Sequence, residues 1–142
     1  MEQEIASIIK FILEAAGNPH AYYWKIPEGF TRPSIFFATP EVLSGGETLK
    51  TYNLDYMWYL TFFHEDTNQA HVMALAAFEA IKRKRNLIPL VDINGDYLTD
   101  GIKGIRLSEP SLKAVDEGAV QLTLRWRSRR PYDIPDVQKM MV

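Results

Sequence analysis

The sequence predicts an α+β fold, with an antiparallel or mixed sheet and two helices packed on it. Three observations carry this. Ile5, Ile8, Ile9, Ile12 and Leu13 repeat at helical spacing, and so do Val72, Met73, Ala76, Ala77, Phe78 and Ile81. Between and after these stretches run two long alternating segments, Thr51 to Phe63 and Val120 to Trp126. Helix, strands, helix, strands is an order that suits an antiparallel sheet better than repeated βαβ units.

The first helix is placed at 2–16, stopped by Gly17 and Asn18-Pro19. Tyr22 to Ile26 reads as a short strand before Pro27, and Ser34 to Ala38 as a second, between Pro33 and Pro40. Residues 39–48, TPEVLSGGET, carry a proline and a glycine pair and read as a long, mobile hairpin connection. In Thr51 to Phe63 the even positions are all apolar. The odd positions start as Asn53 and Asp55, then become Met57, Tyr59, Thr61 and Phe63. The second half of this strand therefore has two apolar faces; a helix can cover one, and the other needs a second helix or a neighbouring subunit. Asp66 is placed to cap the second helix, 67–84, with Gln69 at the capping-box position and Lys82 to Arg85 at the dipole-favoured end.

Leu87 to Ile93 and Tyr97-Leu98 flank Asn94-Gly95, a two-residue hairpin signal. Gly104 to Ser108 is a further strand, 109–118 a polar connection, and Val120 to Trp126 a strand with one apolar face. The 142 residues favour one domain, 1–142, in which Pro131 and Pro135 end regular structure and 131–142 form an extended C-terminal tail.

Composition narrows the function. The absence of cysteine excludes disulfides, thiolate metal sites and cysteine nucleophiles. A net charge of -2 gives the whole chain no call for a polyanionic partner. No apolar run reaches the roughly 18 residues of a membrane span, and an N-terminus with two early acids lacks the basic start of a signal peptide. The chain thus reads as soluble, with no membrane partner. Seven tyrosines and three tryptophans favour half-buried surfaces and interfaces.

No catalytic constellation is legible. Asp92 to Asp96 opens like a calcium loop, but the required glycine falls at Tyr97 and the bidentate acid at Lys103, leaving a hairpin turn. His64 and His71 lack the one-turn spacing of a helical metal pair. Ser44-Gly45-Gly46 has neither a nucleophile elbow nor the Lys-Ser/Thr of a phosphate loop. The expectation is a non-enzyme without cofactor or metal. The sharpest charge feature is Arg125 to Arg130. On a strand, Arg125, Arg127 and Arg129 share one face while Trp126 points to the core. That stripe reads as a contact for phosphates or for an acidic partner, or as a solvated strand end with local carboxylate partners.

The order of an N-terminal amphipathic helix, the Pro-Ser-Ile-Phe-Phe strand, the aromatic strand 52–63, helix 67–84 and a closing strand with Leu122-Thr123-Leu124-Arg125-Trp126 resembles the phage tail terminator, or tail completion, proteins. The resemblance spans nearly the whole chain and rests on element order and strand texture. It implies a virion structural protein of a phage or prophage, assembled in the host cytoplasm and resident in the tail. It implies a hexameric ring that caps the tail tube, stops its growth and meets a head connector or neck protein, with DNA passing through. The expected contact residues are Met57, Tyr59, Phe63, Arg125, Arg127 and Arg129. Another neck component, a general binding module, and a small enzyme or nucleic-acid-binding protein are the competing classes; partner capture, turnover or salt-dependent DNA affinity separates them.

Overall fold

The computed structural model describes residues 2–98 and 104–132. The elements are α1 (Gln3–Ala15), β1 (His20–Tyr23), β2 (Ser34–Phe37), β3 (Glu41–Glu47), β4 (Thr51–Phe63), α2 (Thr67–Arg83), β5 (Leu87–Pro89), β6 (Gly104–Arg106), β7 (Ser111–Asp116) and β8 (Ala119–Pro131). The predicted class is borne out: two helices pack on a mostly antiparallel sheet. That sheet runs β1-β2-β4-β8-β7, with β3 also paired to β4. It is mixed because β1 lies parallel to β2.

Its backbone is the β4–β8 pair, thirteen residues long on each strand, in register from Thr51↔Pro131 to Phe63↔Ala119. Since side chains alternate across a strand, this register gathers Tyr56, Trp58, Leu60 and Phe62 with Trp126, Leu124, Leu122 and Val120 on one face. All eight are buried. Both helices close over that face. Ile5, Ile8, Ile9 and Ile12 come from α1, and Ala70, Met73, Ala74, Ala77 and Ile81 from α2. The alanines let α2 approach the sheet closely. Val72, expected in that stripe, is 67% exposed, because the buried row at 70, 73, 74, 77 and 81 turns it outward.

α1 ends where Asn18 N–H returns to the Leu13 carbonyl past Gly17, at φ +86°. Ser7, buried in α1, donates to the Gln3 carbonyl and accepts from Val91 N–H, which ties the helix to the β5 region at no unsatisfied cost. The Asp66 carboxylate accepts from Gln69 N–H at 2.8 Å, as its position predicts. Replacing Asp66 with alanine is expected to cost about 1 kcal/mol, read as a lower urea midpoint with unchanged slope; an unchanged midpoint refutes the cap.

Several boundaries differ from expectation. The connection 39–48 is not a loop: Glu41–Glu47 is a strand paired along the free edge of β4, with a register shift between Ser44 and Glu47. Its two apolar residues are adjacent and its glycines are paired, so no alternation signals it. The glycine at 45 has a packing reason, since a Cβ there would stand 3.0 Å from the Asn53 Cβ. Likewise the polar stretch 109–118 contains β7, an edge strand whose side chains face mostly water. The first strand begins earlier than expected and stops at Tyr23, where Trp24 takes φ +67° and turns the chain away. The Asn94-Gly95 turn is present, with Val91 opposite Tyr97 and Asp92 Oδ1 accepting from Asn94 and Asp96 N–H. Yet β5 is short and pairs with β6. At the other end β8 runs through Pro131, so regular structure outlasts the expected break there, and Tyr132 packs its ring on Tyr52 at 5.4 Å. The rest of the expected tail, 133–142, lies outside the described residues.

Candidate functional site

Among the described residues, no helix lies on the opposite face of the β4–β8 pair. Met57, Tyr59, Thr61 and Phe63 from β4 stand there beside Thr123, Gln121 and the arginines of β8. All of the β4 residues on it from Met57 onward are half-buried. The expected interface residues therefore do share one face, although they divide into two parts.

Phe63 is covered by its own chain. The Phe30 ring lies 4.6 Å away and the Arg32 guanidinium stands over both rings at 5.0 and 5.3 Å. Arg32 in turn donates to the carbonyls of His64 and Gly118. The expectation that a second helix or another subunit covers the whole apolar second half is thus corrected: loop 24–33 supplies the cover at the Phe63 end. Among the described residues, Met57 and Tyr59 have no such cover; the Tyr59 hydroxyl reaches the Met57 sulfur at 3.0 Å.

The arginines form the other part. Alternation along β8 exposes Arg125, Arg127 and Arg129 and buries Trp126 and Ser128 between them. One of the three has a local carboxylate partner. Arg127 lies across from Asp55 and donates to its carboxylate at 2.8 Å. Arg125 and Arg129 lie across from Met57 and Asn53, and form no ion pair among the described residues. Together with Arg106 and Leu43 they line an open groove of about 940 Å³. Asn53, 8% exposed, sits in it with an amide oxygen that has no hydrogen-bond partner among the described residues.

No protein-family model matches the chain. A relative does: the phage-like element PBSX protein XkdJ of Bacillus subtilis (strain 168) is 30% identical over 132 residues, which span 93% of this chain and 88% of its own length. The chain belongs to the XkdJ family. A second relative from the same organism, the uncharacterized protein YqbJ, is 29% identical over 136 residues, 96% of this chain and 90% of its own. Among solved structures, a chain of the virion of native gene transfer agent (GTA) particle shares the fold, with a TM-score of 0.50 and 14% identity over 89% of this chain and 93% of that one.

A polar cluster that sequence reading missed closes the inner face of this XkdJ-family sheet. Arg130 donates to the Glu2 carboxylate at 2.9 Å and to the Tyr56 hydroxyl, which itself donates to Glu2. Glu2 and Arg130 are 128 residues apart, so no local pattern announces the pair. The Arg130 hydrogen bond holds the Glu2 carboxyl below its ordinary 4.5; burial opposes this and the Tyr56 hydroxyl reinforces it. A depressed carboxyl contributes stability that is complete above 4.5 and disappears as pH falls through the lower folded value. Glu2→Gln is therefore expected to lower the urea midpoint at neutral pH and to match the wild type in strong acid. Equal midpoints at both pH values remove the pair from the account.

The remaining candidates assemble nothing. The His64 ring accepts from Glu65 N–H, and His71 is exposed on α2. Asp92 is engaged by its own turn. No described helix is long and apolar enough to cross a membrane.

Proposed function

We propose that this protein is a structural, non-catalytic component of a phage or prophage tail. In this reading, copies of it form a hexameric ring that caps the tail tube, stops its growth and presents a face to the head connector, with DNA passing through the ring. One observation carries the proposal. The sheet buries one face under two helices and leaves the other with half-exposed Met57 and Tyr59 beside a stripe of arginines. Such a surface, apolar beside charged, suits a protein partner. When the same two patches meet between identical copies and the rotation closes, the product is a ring. Kinship with a protein of the phage-like element PBSX supports placing that ring in a phage-type particle.

The test is mass in solution across a concentration range, followed by addition of the protein to polymerising tail-tube protein of the same element. A closed oligomer and tubes of arrested length are expected. Tubes that grow unaltered in its presence refute the capping role.

A further inference from the structure

We infer that the arginine groove receives an acidic corner of a second copy, so that copies join head to tail along the sheet; this rests on the ring reading above. The acidic corner lies at the other end of the β4–β8 pair. His64 N–H bonds to the Gly118 carbonyl and Gly118 N–H to the Thr67 hydroxyl, which brings the β4–α2 connection against the β7–β8 turn. Gly118 permits this closeness: it sits at φ +70°, and a Cβ would fall 2.7 Å from the His64 carbonyl oxygen. Glu65, Asp66, Asp116 and Glu117 are therefore neighbours, and all four are exposed. None forms an ion pair among the described residues, and the nearby Arg32 is taken up by backbone carbonyls.

The two patches cannot neutralise each other within one molecule. From Gly118 to Arg127 the strand advances at about 3.3 Å per residue, roughly 30 Å in all. Screening at physiological salt acts over about 8 Å. With arginines at one end and carboxylates at the other that form no ion pair among the described residues, the chain is complementary to its own copy in head-to-tail orientation, which is the heterologous contact that closes a ring. The groove also contains what such a contact requires besides charge. Leu43 is 67% exposed on its rim and offers apolar surface to the incoming turn. A nucleic acid fits less well, because Asp55 places a carboxylate among the arginines and would face the phosphates.

The experiment uses two charge-reversed full-length chains and sedimentation velocity at low and high salt. One carries Arg125→Glu with Arg129→Glu, the other Glu65→Lys with Glu117→Lys. None of these four side chains makes a described ion pair, so both variants should fold, as circular dichroism will verify. Each alone is expected to lose about tenfold or more in self-association, and an equimolar mixture to recover it, because reversed groove then meets reversed corner. A corner variant that associates like the wild type, or a mixture without recovery, overturns the inference while leaving the ring intact. A groove variant that loses only salt-sensitive affinity for a duplex DNA probe gives the groove to nucleic acid and overturns it too. A wild type that stays monomeric at low salt overturns the ring reading along with it.

Discussion

Trp58→Ala is expected to destabilise the fold by about 3–5 kcal/mol, a large part of the roughly 5–15 kcal/mol by which native domains are stable. The residue is fully buried at the centre of β4. Its ring packs on Phe37 at 5.6 Å, Trp126 at 6.0 Å and Trp24 at 6.2 Å, so one truncation opens a cavity against three aromatic partners. It also removes the indole N–H that donates to the Ala38 carbonyl, and so leaves a partly buried acceptor unpaired. Thermal unfolding followed by far-ultraviolet circular dichroism should show a midpoint lower by roughly 10 °C. A shift of only one or two degrees would mean that the aromatic cluster is not the centre of the core.

The second large effect concerns assembly and leaves folding nearly untouched. Tyr59 is one residue from Trp58 and faces the opposite way, half-buried and opposite Thr123. Within a single subunit, Tyr59→Asp removes a contact with Met57 and places a carboxylate where water reaches it, at a cost of about 1 kcal/mol. Across an interface the same carboxylate is dehydrated without a partner, which costs several times as much. A folded monomer that no longer associates is the expected outcome, read by circular dichroism and sedimentation together. If Tyr59→Asp unfolds the chain, Tyr59 belongs to the core and the outer face loses its apolar half.

The adjacency of these two positions explains how much of the molecule could be read in advance. The period of two in Thr51 to Phe63 and in Val120 to Trp126 marks the row of side chains that lies inside, and the helical period does the same for α1; in α2 it finds the helix but places Val72 in the buried row, where it is 67% exposed. Those elements were legible because one buried face imposes one pattern. β3 and β7 were not. Each is an edge strand held by backbone pairing, and backbone hydrogen bonds leave no trace in side-chain sequence. The arginine stripe was legible as a face, but Asp55 as the partner of Arg127 was not, because cross-strand register decides it. Nor could the sequence reveal that Phe30 and Arg32 shield Phe63, since that contact depends on where the loop before β2 falls.

The long β4–β8 pair also fixes a sequence of events. Its partners stand 56 to 80 positions apart in the chain, as Phe63↔Ala119 and Thr51↔Pro131 show. Ladders of that span close slowly, since the chain must lose its loop entropy before any pairing offsets the loss. Both patches of the outer face depend on this closure: Arg125, Arg127 and Arg129 arrive with β8, and the β7–β8 turn arrives with them. A nascent chain whose β8 has not yet emerged from the ribosome therefore displays neither patch. On the ring reading proposed above, folding must be nearly finished before one copy can recognise another, so half-made chains would be kept out of the assembly by topology alone.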